Sequence, residues 1–360
     1  MKKNVIFIKS DDISNVRIQK YFHVLSKKKV NFELIGWKRS DDIEKFNFKE
    51  KANYILKGGG YGNKKKLLFR YLIFQIKLIS YLFKNRKYLK QNNVIAVNFD
   101  SALPLFLFKR ILKIKYIYEI HDSFALSYRF PRIIKNMILK IDNAIMKNSE
   151  IVIHVDENRI VDINHNNLII YNSPLDFFEG VFYERQLQLK FCILGNISSL
   201  RGAKSILDFA KKNHDIKFIL VGKFYEEKLK DEFLELKNIE YFDYVPQDQL
   251  FNLVLDSCGI FSLYDCDLEI NQLAASNKVY DAMMLGIPVI TNKEVMNSKF
   301  ISENGIGVVL NYNYDNSWSI LEDSSFLTVA KNIGSNGRKL FETDYSFQLQ
   351  IEKKLLPILI

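Results

Sequence analysis

Short apolar runs alternate with longer amphipathic stretches along this chain, and no other feature constrains its fold as tightly. NVIFI leads into SDDISNVRIQKYFHVLSKKK, where Val16, Tyr21, Val24 and Leu25 make a helical stripe, and then into NFELIGW. Continuous apolar runs joined by helices point to parallel strands, because each parallel pair needs a crossover and the crossover helices bury both faces of the sheet. ANYILK, VIAVNFD, KYIYEI, EIVIHV and NLIIY carry the pattern through the first half. FCILGN, IKFILVG, IEYFDYV, GIFSLY and PVIT start it again in the second, so two doubly wound α/β sheets are expected. With 360 residues and 48% hydrophobic content, each half can bury a core of its own.

The irregular stretch DFFEGVFYERQLQLK places a linker near Pro174 to Leu189, between a Rossmann-like domain over 1–174 and a second over 190–336. The tail, 337–360, reads as a helix expected to pack back on the first domain. Cys192, Cys258 and Cys266 form no C-x-x-C pair, and an odd count without a secretory signal fits reduced thiols in a cytoplasm. The amino-terminal apolar run is too short for a signal peptide, and no stretch reaches the ~18 uncharged apolar residues of a membrane span.

The net charge of +11 suits nucleic acid, an anionic membrane or an anionic substrate, so its distribution has to decide. Lys64 to Lys90, KKKLLFRYLIFQIKLISYLFKNRKYLK, holds nine basic residues among aliphatic and aromatic ones and no acid. Such a helix suits the headgroup region of an anionic leaflet, which would make the protein peripheral on the inner face of the plasma membrane. It equally suits a core helix with snorkelling lysines. RNA ranks third, and nucleic acid is not an expected partner, because no recognised module accompanies the charge.

Two glycine motifs fail in detail. The first βα turn lacks the G-x-G-x-x-G of a dinucleotide site, and in GGGYGNKKK Gly62 is followed by Asn63, Lys64 and Lys65 rather than by Lys and Ser or Thr. The stretch Gly259 to Asn292 is more informative: strand, polar loop, helix start at Ser276 and Asn277, and a stop at Gly286 and Pro288 before PVIT. The first helical turn there presents outward N–H groups to a phosphate, with Lys278 adding charge. Asp281, three residues on, has acceptor oxygens for neighbouring hydroxyls of a ribose or hexose. A nucleotide sugar satisfies both ends, while an ordinary crossover with a solvated Lys and Asp fits the same spacing. In ISSLRGAKS, Arg201 with Lys204 can neutralise a pyrophosphate, or the two can simply be solvated. His121 directly follows strand KYIYEI, where polar residues line the crevice of an open α/β sheet, and can contact a sugar hydroxyl or only brace the strand end. Arg17 on the first helix can face a ligand or solvent. His23, His154, His165 and His214 show no metal-ligand spacing.

The second half resembles retaining glycosyltransferases of family 4 through GNISSLRG, the LVG strand end, FDYVPQDQL, SNKVYDAMMLGIPVITN and NGIGVV. The first half is similar through NVRIQKYFHVLSKKK, NFDSALP and YEIHDS. The resemblance implies the GT-B fold: two facing Rossmann-like, doubly wound domains with an interdomain cleft, the first for the acceptor and the second for the nucleotide-sugar donor. It carries a diphosphate contact to Arg201, a ribose contact to Asp281 and the donor-sugar histidine to His121. Leu273 stands where the family's Glu-x7-Glu pattern begins, and Asn196 replaces a frequent arginine. The chain looks like the branch with Pro-Asn-Lys-x-Tyr-Glu, in which Asn277 and Lys278 match while Ser276 and Asp281 substitute. Glu269 and Asn271 are the candidates for the remaining hexose contacts.

The resemblance further implies a hexosyltransferase acting with retention on a lipid-linked oligosaccharide, in bacterial capsule, O-antigen or exopolysaccharide synthesis. The nucleotide sugar would be a co-substrate, UDP-sugar ahead of GDP-sugar, with no cofactor and no metal. Asp265 and Asp267 make the Asp-x-Asp with which another glycosyltransferase fold holds a metal, but here they belong to a second complete α/β unit. A GT-B nucleotide-sugar epimerase and a non-catalytic nucleotide-sugar-binding subunit stay open beside the transferase.

Overall fold

The computed structural model describes residues 3–39, 45–59, 64–127, 130–160, 165–182, 185–272 and 276–360. The chain divides into two compact units, Met1–Tyr171 with Gln350–Ile360, and Asn172–Leu349.

The first unit is built on β1 (Val5–Lys9), β2 (Phe32–Lys38), β3 (Ala52–Lys57), β4 (Asn93–Val97), β5 (Ile117–Ile120), β6 (Ile151–His154) and β7 (Asn167–Ile169). All pairings are parallel and the order is β3-β2-β1-β4-β5-β6-β7, so Val5 lies between Phe32 and Asn93 and the winding reverses at β1 and β4. The crossovers are α1 (Val16–Lys27), α2 (Lys64–Lys84) with α3 (Arg86–Lys90), α4 (Phe99–Leu107) with α5 (Lys109–Leu112), and α6 (Phe124–Ser127) with α7 (Arg132–Asn148). Asn15 caps α1 by accepting from the Ile18 N–H, and Ile18, Tyr21, Phe22 and Leu25 bury its inner face. Phe74, Leu78 and Leu82 of α2, spaced four residues apart, pack with Ile35, Trp37 and Ala96 in one core. α4 and α5 are separated only by Phe108. Residues 350–360 are tied to this unit by Tyr171 N–H donating to Gln350 Oε1 at 2.7 Å and Lys354 Nζ donating to the Ile169 carbonyl at 3.0 Å.

The second unit holds β8 (Gln188–Leu194), β9 (Lys217–Val221), β10 (Ile239–Phe242), β11 (Ser257–Phe261), β12 (Val289–Asn292) and β13 (Gly307–Leu310), parallel in the order β10-β9-β8-β11-β12-β13. Its helices are α8 (Ala203–Lys212), α9 (Glu227–Leu234), α10 (Gln247–Val254), α11 (Glu269–Gln272), α12 (Asn277–Leu285), α13 (Ser298–Glu303) and α14 (Phe326–Leu340); α15 (Phe347–Gln350) and α16 (Leu356–Leu359) end the chain. Phe191, Phe209, Phe218, Phe261 and Trp318 form the aromatic centre of its core. The irregular stretch after Pro174 belongs here: Asp176 takes Arg338 Nη1 and Nη2 at 2.7 and 2.8 Å.

Candidate functional site

In an open parallel sheet, ligands bind beyond the carboxyl ends of the strands where the winding reverses. In the second unit that point lies between β8 and β11. The turn after β8 is firmly anchored. Gly195 N–H donates to the Val221 carbonyl at 2.7 Å, Ser199 Oγ donates to Glu226 Oε2 at 2.6 Å, and Tyr312 OH donates to the Ser199 carbonyl at 2.5 Å. Two glycines make the approach possible. A Cβ on Gly222 (φ +140°) would meet the Gly195 carbonyl oxygen at 1.8 Å, and one on Gly202 (φ +74°) would meet Leu263 Cβ at 2.5 Å. The start of α8 therefore abuts the end of β11, and Arg201 just before it is brought beside Tyr264.

The Arg201 guanidinium lies 4.2 Å from the Tyr264 ring centroid, and Asp265 N–H donates to the Leu200 carbonyl at 3.1 Å. Tyr264 is held on both sides of its backbone by Asn292 at the end of β12, which accepts from its N–H at 2.9 Å and donates to its carbonyl at 3.0 Å. Ser276 occupies the N-cap position of α12, but its hydroxyl makes no bond to the first turn and instead accepts from Ser262 Oγ at 2.8 Å. The expected side-chain cap is thus absent, because a buried neighbour competes for it. Neither α8 nor α12 has a side-chain cap, which leaves first-turn N–H groups at both starts for an anion. Burial alone would raise the Tyr264 phenol, yet Lys278 and Arg201, with hydrogen bonds from Ser276 and Ser262, bring it below its ordinary value. Together these outweigh burial at the Tyr264 phenol.

Lys278, half-buried in the first turn of α12, therefore shares a site with Arg201, and Asp281 sits half-buried one turn further on. Asn277 is exposed and its Oδ1 accepts from Asn172 Nδ2 at 3.0 Å. Asn271 is buried, and its Nδ2 donates to the Asp265 carbonyl at 2.8 Å, shaping the loop after β11. Lys204 is exposed on α8, and its charge is among those that lower Glu232 of α9, after that of Lys211. The side chain of Glu269, the glycine-rich turn at 60–63 and Leu273 lie outside the described residues. In the Asp-x-Asp stretch, Asp265 Oδ1 accepts from Asp267 N–H at 3.1 Å. Among the described residues no group of three or more His, Cys, Asp or Glu could hold a metal ion.

In the first unit, His121 follows β5, and its N–H donates to Asn98 Oδ1 at 2.9 Å. Asn98 turns the chain out of β4 at φ +66°, a backbone region that side chains other than glycine rarely occupy. The imidazole Nε2 lies 3.4 Å from Glu119 Oε1, and Glu119 has no exposed surface. The same carboxylate oxygen accepts from Arg17 Nε at 2.7 Å and Tyr21 OH at 2.8 Å. Arg17 also donates to the Ile170 and Tyr171 carbonyls at 2.9 and 3.3 Å. It is only 4% exposed, so its donors serve the interior and reach His121 through Glu119. Burial and then the Lys9 ammonium push His121 down to about 4 against the pull of Glu119, so the ring is neutral at physiological pH. Although burial opposes it, Arg17 and His121 hold the Glu119 carboxyl well below its usual range.

Tyr264, Ser262, Asn292 and Glu119 were not among the residues the motifs singled out. Glu119 had a readable signal, since a carboxylate inside an apolar strand run needs a buried partner. Tyr264 and Asn292 had a weaker one, as polar atoms at the ends of buried parallel strands.

No family model matches the chain, and no curated protein matches it. Solved structures do. Sucrose-phosphate synthase from Thermosynechococcus elongatus matches with TM-score 0.67 at 13% identity, over 97% of this chain and 98% of that one. HepE from Anabaena, in complex with UDP, matches with TM-score 0.67 at 12% identity, over 97% of each chain. A UDP-N-acetylglucosamine 2-epimerase matches with TM-score 0.56 at 13% identity, over 95% of this chain and 96% of that one. These likenesses show the fold, which is GT-B.

Proposed function

We propose that the protein is a glycosyltransferase that moves a hexose from a nucleotide diphosphate, UDP ahead of GDP, to a lipid-linked oligosaccharide of a bacterial surface polysaccharide. The observation that carries this reading is the convergence of Arg201, Lys278 and two uncapped helix starts around Tyr264 at the reversal point of the second unit. Two cations and oriented N–H groups stabilise a departing diphosphate as its charge develops, which is how electrostatic preorganisation accelerates such a step. They do so without a metal, so activity is expected to persist in EDTA. Asp281 accepts from the ribose hydroxyls. The neutral His121, oriented by Glu119, donates to or accepts from a sugar hydroxyl, and the first unit takes the acceptor. Retention is what the family resemblance implies, and front-face attack assisted by the leaving phosphate accounts for it without a carboxylate nucleophile.

Calorimetry tests the donor site: Asp281→Ala should weaken UDP binding, and unchanged affinity would remove the ribose assignment. The likeness to an epimerase favours one second reading, a nucleotide-sugar epimerase on the same donor site. Incubation with UDP-sugars and no acceptor separates the two. An epimerase converts the sugar, whereas a transferase leaves it essentially intact until an acceptor is supplied.

A further inference from the structure

The positive charge of this protein is not spread over its surface. The helices α2, α3, α4, α5 and α7 carry fifteen Lys and Arg against two acids, Asp100 and Asp142, both buried. Their excess of 13 is larger than the +11 of the whole chain, so everything outside these helices is slightly acidic. The same helices expose large apolar side chains. At about 100° per residue, Phe69, Leu72, Ile76 and Phe83 of α2 fall roughly 120° to 180° from the stripe Phe74, Leu78 and Leu82 that enters the core. All four are exposed, between 40% and 68%. This helix therefore has a second apolar stripe, turned to solvent, and Arg70, Lys77 and Lys84 at seven-residue spacing run between the two. On α7 the pattern repeats: Ile133, 84% exposed, lies roughly 145° from the buried Ile138, Asp142 and Ile145, and Met137, 54% exposed, roughly 105° from them on the same side.

α4 touches both α2 and α7, so the three lie side by side on one face of the first unit's sheet. Leu107 and Ile111, on α4 and α5, are exposed as well, with exposed Lys109 and Arg110 next to them in the chain. No helix among the described residues is long and apolar enough to cross a membrane. We propose that this three-helix face is a docking surface for an anionic lipid bilayer, with Ile133, Met137 and the outer α2 stripe entering the acyl boundary and the lysines and arginines meeting the headgroups.

Charge complementarity selects this occupant. A second copy of the chain would set two strongly positive faces against each other, which repels. RNA would satisfy the cations, but aliphatic side chains at helical spacing neither stack on bases nor read their edges. A bilayer takes both the charge and the apolar surface. The inference does not depend on the reaction catalysed, and its test involves no nucleotide.

The test is co-sedimentation of the full-length protein with vesicles of phosphatidylcholine alone and of phosphatidylcholine with 30% phosphatidylglycerol. The protein is expected to bind the anionic vesicles at least tenfold more tightly. Ile133→Glu/Met137→Glu, on exposed positions, should lose at least tenfold of that affinity with an unchanged melting temperature, and Ile133→Leu/Met137→Leu should keep it. Equal binding to both vesicle types, or indifference to the glutamates, overturns the proposal. Two further outcomes also overturn it: single-stranded RNA that displaces the protein from anionic vesicles and binds the glutamate variant as well as the wild type, or a solution dimer that the glutamates dissociate.

Discussion

The neutral state of His121 has a consequence that unfolding experiments can read. Its pKa is about 4 in the folded chain against an ordinary 6.5. Between those values the unfolded chain binds a proton that the folded one refuses, so stability rises with pH across that window and falls as the medium is acidified. One pKa unit is about 1.4 kcal/mol, so acidification from pH 6.5 to 4.5 should cost about 2 to 3 kcal/mol through this residue alone. Glu119 titrates lower, because its folded pKa is depressed; its contribution is present above the unfolded carboxylate value and lost only as pH falls further. His154 is also lowered by burial and adds to the gross slope, so the informative quantity is a difference. Urea unfolding of wild type and His121→Gln at pH 7.0, 6.0 and 5.0 supplies it. The wild type should lose stability faster on acidification, and the two curves should converge or cross toward pH 5. Parallel curves, or an NMR titration placing the His121 imidazole at 6.5 or above, would refute the reasoning.

The same cluster predicts that Glu119→Gln is severe: Arg17 would keep its charge in the interior without its carboxylate, a loss of about 3 to 5 kcal/mol that urea melts of the first unit should register. Arg201→Ala should weaken binding of UDP by roughly 10- to 100-fold, since a charge-assisted hydrogen bond is worth about 1.5 to 3 kcal/mol, while Arg201→Lys keeps the charge but loses the planar contact with Tyr264 and should fall between. A titration of donor affinity for the three proteins orders them. In the same variants the Tyr264 phenol should move up when Arg201 is removed, which its ultraviolet titration detects.

Much of the architecture is legible in the sequence. Apolar runs such as NVIFI and FCILGN are strands because nothing else buries both faces over so few residues, and the helices between them follow from their stripes. The arrangement of those strands was less accessible. That β4 lies beside β1, and β11 beside β8, is a property of the crossovers, and it decides which turns share a ligand site. Arg201 and Lys278 were legible because their motifs sit at strand and helix ends. The contact that unites them, Tyr264, comes from the end of another strand, and Asn292, which clamps it, from yet another. Ser276 shows the limit of local rules, since cap propensity cannot anticipate that Ser262, fourteen residues earlier in the chain, competes for its hydroxyl. Arg17 shows the same limit at longer range: its helical position suits a surface residue, and partners distant in the chain, Glu119 102 residues away and the Ile170 and Tyr171 carbonyls, account for its burial.

If the reversal point of the second unit is a nucleoside diphosphate site, thermal shift against UDP, GDP, ADP and their sugars shows it most directly. A ligand at 100 times its dissociation constant stabilises by about 2.7 kcal/mol, or roughly 5 to 10 °C for a unit of this size. A selective response to one base, UDP foremost, that disappears in Arg201→Ala and Asp281→Ala is the predicted result. No stabilisation by any nucleotide, or stabilisation that both variants retain, would contradict it.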